Sequence, residues 1–148
     1  MRATCRTPAL LLLAPLACLA LADDALEEMK AKAAAAPAGQ QAVLYAQVAR
    51  EEVELANQQF IEGNVEQGQA AVREAVAYAE KAGAAARNSR KKLKQTEMAI
   101  GKIARRLGDI GKTLALDDRP AVEQAVKKLQ HIQDQLLDAM FNERKKQP

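Results

Sequence analysis

The sequence predicts an all-α protein: an elongated antiparallel helical bundle or coiled coil, with one long central helix over about 65–115 flanked by two shorter ones. Three observations predict it. No run of β-branched or aromatic residues alternates with period two, so strand signals are missing. Aromatics make up 3 % of the 148 residues and tryptophan is absent, so a core must be built from Ala, Val, Leu and Ile, as in thin bundles. Between Val65 and Leu114, apolar and small residues recur every seven positions without a slip.

Residues 1–22 differ from the rest. Arg2 and Arg6 precede an apolar stretch from Pro8 to Leu21, and Ala20-Leu21-Ala22 stands before Asp23-Asp24. A basic region, a short apolar region and a small-x-small site read as a signal peptide, cleaved near Ala22-Asp23, so the mature chain is expected to be periplasmic or secreted. Both cysteines, Cys5 and Cys18, fall inside this leader. Disulfides and thiolate metal sites are therefore not expected in the mature chain.

Residues 23–40 pass from acidic to alanine-rich and end at Pro37 and Gly39; they read as a flexible tail or linker ahead of a helical domain over 41–146. The first strong helix runs from about Gln41 to Glu62. Its apolar face is broad: Leu44, Val48 and Leu55 form one stripe, with Tyr45, Val53 and Phe60 in its neighbour. Gly63-Asn64 suit the left-handed conformation that ends a helix.

The heptad follows. Val65, Val72, Ala79, Ala86, Leu93, Ile100, Leu107 and Leu114 occupy one core position, and Gly68, Ala75, Ala82, Ser89, Thr96, Ile103 and Ile110 the other. An unbroken register implies one helix of roughly 50 residues, about 75 Å long at 1.5 Å per residue. The alternative is a break at 88–92 that folds two hairpins into a four-helix bundle. Asp117-Asp118-Arg119-Pro120 starts the last helix, which carries Val122, Val126, Leu129, Ile132, Leu136 and Met140 on one face.

The segment from Phe60 through Gly63, Gly68 and Ala75 resembles the turn and second helix of a tetratricopeptide repeat. In that family a glycine opens the turn and small residues follow five and twelve positions later; Gly63, Gly68 and Ala75 hold those places. The resemblance is to a single degenerate hairpin covering about a quarter of the chain, without a second copy at 34 residues. It implies a protein-binding surface.

Chemistry is sparse. Ser89 is the only serine and His131 the only histidine, so no Ser-His-Asp triad can be assembled. For a metal, His131 has only Asp134 at a suitable helical spacing. Met29 and His131 loosely fit the Met/His haem ligation of small exported bundles, but Met29 lies beyond the Pro37-Gly39 break. No catalytic residue, cofactor, metal or small-molecule substrate is indicated, and the chain reads as non-enzymatic.

What remains is binding. A rod two helices thick leaves apolar surface on the first helix, so Tyr45, Val53 and Phe60 are the candidate contacts for a protein partner or for self-association, giving an exported scaffold or adaptor. Charge supplies the second reading. Residues 23–86 hold five basic and eleven acidic side chains, a net of −6, whereas residues 87–148 hold fifteen and eight, a net of +7. Arg87, Arg90, Lys91, Lys92, Lys94, Lys102, Arg105 and Arg106 could meet an anionic envelope polymer or the headgroups of a membrane surface. Nucleic acid is disfavoured, since neither stacking aromatics nor a reading helix accompanies them.

Overall fold

The computed structural model describes residues 17–145, which form five α-helices: α1 (Ala17–Ala35), α2 (Ala38–Ile61), α3 (Val65–Ser89), α4 (Leu93–Thr113) and α5 (Arg119–Arg144). The basic region and most of the apolar run of the expected leader lie outside these residues. The expected cleavage site at Ala22-Asp23 falls within α1.

The one long helix is not present. The chain breaks at Arg90-Lys91-Lys92, and α3 and α4 have similar lengths, 25 and 21 residues. Arg90 (φ 53°) and Lys92 (φ 62°) both adopt the left-handed conformation, which costs roughly 1–2 kcal/mol for a residue with a Cβ. Ser89 prepares the turn. Its hydroxyl donates to the Ala85 carbonyl at 2.7 Å and accepts from the Lys91 N–H at 3.3 Å, diverting backbone groups that would continue the helix. The heptad nevertheless marked the inward faces correctly on both sides of the break. Val72, Ala75, Ala79, Ala82 and Ala86 of α3 and Leu93, Ile100, Ile103, Leu107 and Ile110 of α4 are all buried in one core.

Two helical hairpins result. In the first, α2 and α3 run antiparallel about the turn at Gly63 (φ 82°), with Phe60 over Gly68 and Tyr45 against Tyr78. In the second, α4 and α5 are antiparallel, with Gly101 against Gln133 and Gly111 against Val122. The hairpins stack side by side: α2 lies on α4 and α3 on α5. Both pairings are parallel, because Gly39 meets Lys91 and Glu54 meets Arg106 at the same separation of 52 residues. Across the other pair Gly83 meets Ile132, and Arg87 donates to Gln135.

Alanine sets the spacing of the first hairpin. Ala42, Ala46, Ala49 and Ala56 of α2 are buried, so backbones approach closely on a helix that is flanked by α1, α3 and α4 together. The second hairpin is filled by larger side chains, among them Ile100, Leu107, Leu129 and Leu136.

Of residues 23–40, which read as a tail or linker, 23–35 belong to α1, which packs on α2, and 38–40 open α2, with Pro37 between the two helices. Ala33 is buried there, and Lys30 forms an ion pair at 2.9 Å with Glu52 of α2, whose side chain is 3 % exposed. Burial pushes the Glu52 carboxyl above its ordinary range and Lys30 offsets only part of that. For Lys30 burial works the other way, but its pairing with Glu27 and Glu52 prevails and holds the amine charged.

Three outcomes are expected. Arg90→Gly and Lys92→Gly should each raise stability by roughly 0.5–1 kcal/mol, read as a higher urea midpoint, because glycine relieves the left-handed strain and surrenders part of the gain as chain entropy. Thr96→Val should also stabilise, by about 1 kcal/mol, since the Thr96 hydroxyl is buried without a hydrogen-bond partner among the described residues and valine keeps the shape. Lys30→Ala should cost about 2 kcal/mol at pH 7 by leaving a buried carboxylate unpaired. A carboxyl whose folded pKa is raised favours folding below its unfolded value and loses that contribution as pH rises through the folded one. The Lys30→Ala deficit should therefore shrink as pH is lowered from 7 to 5. Urea titrations at both pH values measure it, and a deficit that grows would contradict the assignment.

Candidate protein-binding groove

The residues singled out for partner contact do not form one surface. Val53 is 1 % exposed, part of the core beneath the α2–α4 contact. Tyr45 is half-buried against Tyr78, its ring centroid 6.1 Å away, and Phe60 is half-buried where a side chain on Gly68 would otherwise stand. The wide apolar face of α2 is real, but α1, α3 and α4 already cover most of it.

The basic stretch is divided as well. Arg87 is committed to Gln135 of α5, and Arg106 to Glu54 of α2 through two hydrogen bonds of 2.8 and 2.7 Å. That pairing, led by the hydrogen bond from Arg106, holds the Glu54 carboxyl below its ordinary range. Arg90, Lys91, Lys92 and Lys94 are exposed at the reversal between the hairpins. Lys102 and Arg105 are exposed on α4, Lys102 lying eight residues or roughly 12 Å beyond Lys94.

Where α2 and α4 lie parallel they leave a groove of about 400 Å³. Its floor is apolar, formed by Ala46 and Val53 from α2 and by Ala99 and Ile103 from α4. Val43 and the half-exposed Met98 wall one end. Arg50, Glu54, Lys102 and Arg106 form the lips of the other end. Arg50 donates to Glu51 beside it at 2.7 and 3.2 Å, and Glu54 is held by Arg106, so Lys102 is the lip cation for which no carboxylate is in place among the described residues. The volume falls in the range of ligand pockets, and with Arg50 and Arg106 paired to Glu51 and Glu54 the lips carry one cation in excess.

This site could not be read from the linear pattern. It joins residues 52 apart, and only the reversal at Arg90–Lys92 brings them together. Three residues singled out in the sequence, Val53, Lys102 and Arg106, do line it, and Met98, 49 % exposed, joins them from outside the heptad positions.

His131 is exposed and lies 2.8 Å from the Gln135 amide, and among the described residues α1 makes no contact with α5, so Met29 and His131 are not brought together. Among the described residues no group of three or more His, Cys, Asp or Glu side chains could hold a metal ion, and no helix is long and apolar enough to cross a membrane. The chain matches no family model, no curated protein and no solved structure.

Proposed function

We propose that this protein is a non-enzymatic, exported helical scaffold that binds a protein partner or a second copy of itself through the groove between α2 and α4. The observation that carries the reading is the groove: an apolar recess of about 400 Å³ with exposed, mostly cationic lips. A surface recess that no side chain of the fold fills is where a partner gains most from burial. The leader pattern of residues 1–22 supports export, and the tetratricopeptide-like run through Gly63, Gly68 and Ala75 is in keeping with a binding role.

A second reading rests on a separate observation. Arg90, Lys91, Lys92 and Lys94 stand exposed at one end of the molecule, a compact cationic cluster suited to anionic polymers or lipid headgroups.

A photo-crosslinking residue placed at Ala99, inside the groove, should yield a defined protein adduct or a homodimer in the native envelope. The same residue at the exposed Lys127 of α5 should not. The Ala99 adduct should survive high salt and disappear when Met98→Glu is added. Equal adducts from both positions would reject the groove as the contact surface. Retention on anionic lipid or polymer only at low salt, abolished by changing Lys91, Lys92 and Lys94 to Glu, would favour the cationic end instead.

A further inference from the structure

Resting on the second reading, in which the exposed cations at the reversal form a binding end, we propose that this end docks on an anionic lipid bilayer, with the Phe141 ring seated among the headgroups. Helix register puts the ring there. Gln133 of α5 lies on Gly101 of α4, and Val122 on Gly111, which fixes how the two antiparallel helices are paired. Eight residues beyond Gln133 is Phe141, and eight before Gly101 is Leu93, flanked by Lys92 and Lys94. Along α3, Arg87 reaches Gln135, so Phe141 also stands level with the chain just past Ser89. The start of α2 closes the same end, where the stem of Lys91 lies over Gly39. Phe141 is 56 % exposed, and Arg90, Lys91, Lys92, Lys94 and Lys145 are exposed at its level.

The charge at this end is uncompensated. Among the described residues none of Arg90, Lys91, Lys92 and Lys94 forms an ion pair. Asp138 and Glu97 stand about one turn further from the tip, and Glu97 accepts from Gln133. Backbone conformation adds an independent point. Arg90 and Lys92 hold the left-handed conformation, in which glycine is the cheaper residue, so both cations stand there at a cost to stability. The ring then decides the class of partner. A soluble polyanion neutralises lysines and arginines but leaves an exposed phenyl ring in water. The headgroup region of a bilayer takes both, cations at its phosphates and an aromatic ring at the acyl boundary. The opposite end lacks this combination: Leu116 is exposed there, but beside Glu62, Asp117 and Asp118, which an anionic surface repels.

The chain has no tryptophan, so Phe141→Trp and Leu116→Trp each place a single indole at one end of the full-length protein. Each variant is mixed with phosphatidylcholine vesicles, with or without roughly one third phosphatidylglycerol, at about 0.1 and 0.5 M salt. Emission from Phe141→Trp should shift to the blue with the anionic vesicles only, be quenched by brominated acyl chains, and respond less at the higher salt. Emission from Leu116→Trp should not move. Because Lys30 meets Glu52 and Gln41 meets Ala34, α1 begins at the Leu116 end, and attachment through residues 1–16 would show at Leu116→Trp instead. Arg90→Gly combined with Lys92→Gly should weaken co-sedimentation with anionic vesicles about 25-fold, roughly fivefold per cation. The same variant should have a higher urea midpoint, so its lost binding is not unfolding. Phe141→Ser should weaken vesicle binding about fivefold, the size of partly burying one ring, and leave binding of inorganic polyphosphate unchanged. A shift at Leu116→Trp rather than Phe141→Trp, equal response to neutral and anionic vesicles, or indifference to Phe141→Ser would overturn the proposal. Polyphosphate bound through Arg90 and Lys92 while vesicles are ignored would keep the cationic end as a binding surface and discard the bilayer. Failure with both would remove the second reading as well.

Discussion

The reversal at Arg90-Lys91-Lys92 is the constraint on which the architecture depends. Two left-handed residues without glycine are costly, and the Ser89 hydroxyl takes backbone partners that a continuing helix would need. What repays this is the burial of α4 and α5 against the first hairpin. Had the helix run on, Ile100, Leu107 and Ile110 would have had only α5 to cover them. Folded back, they share a core with Ala79, Ala82 and Ala86. Burying apolar surface at about 25 cal/mol per Å² outweighs a strain of a few kcal/mol once several large side chains are involved.

The same reversal juxtaposes the two halves of a strongly dipolar sequence. The hairpin of α2 and α3, with α1, carries the acidic half, and the hairpin of α4 and α5 the basic half. Attraction across the stack favours the observed pairing over one in which like halves meet. The ion pair between Glu54 and Arg106 is its most specific expression, although both side chains remain nearly half exposed. Specificity of stacking, more than depth of stability, is what such a pair supplies.

The helical class, the inward faces and two of the helix boundaries were legible in the sequence, whereas α1 read as a tail. Gly63-Asn64 do connect α2 and α3, Asp117-Asp118 do precede the last helix, and nearly every heptad position between Val65 and Leu114 points inward. Continuity was not legible, because a heptad records which side is buried and not whether the axis goes on. A three-residue loop happens to preserve the count of seven between Ala86 and Leu93. Gly83, Gly101 and Gly111 lie off the heptad positions, and each is a notch where a side chain of α5 sits, Ile132, Gln133 and Val122 respectively. The setting of Val53 was hidden for the same reason: α4, invisible in a two-helix rod, covers that face of α2 and leaves Val53 on the floor of the groove.

The parallel stacking of the hairpins has an electrical consequence. Since α4 repeats the direction of α2, the tips of both hairpins point the same way, bringing Glu62, Asp117 and Asp118 to one end with the exposed Ile61 and Leu116. The opposite end holds the cations Arg90, Lys91, Lys92 and Lys94. The molecule thus has a dipole moment along its length as well as across its stack. Near any charged body within about a Debye length, roughly 8–10 Å at physiological salt, it feels a torque before it makes contact. It arrives end-on, with the groove side exposed laterally.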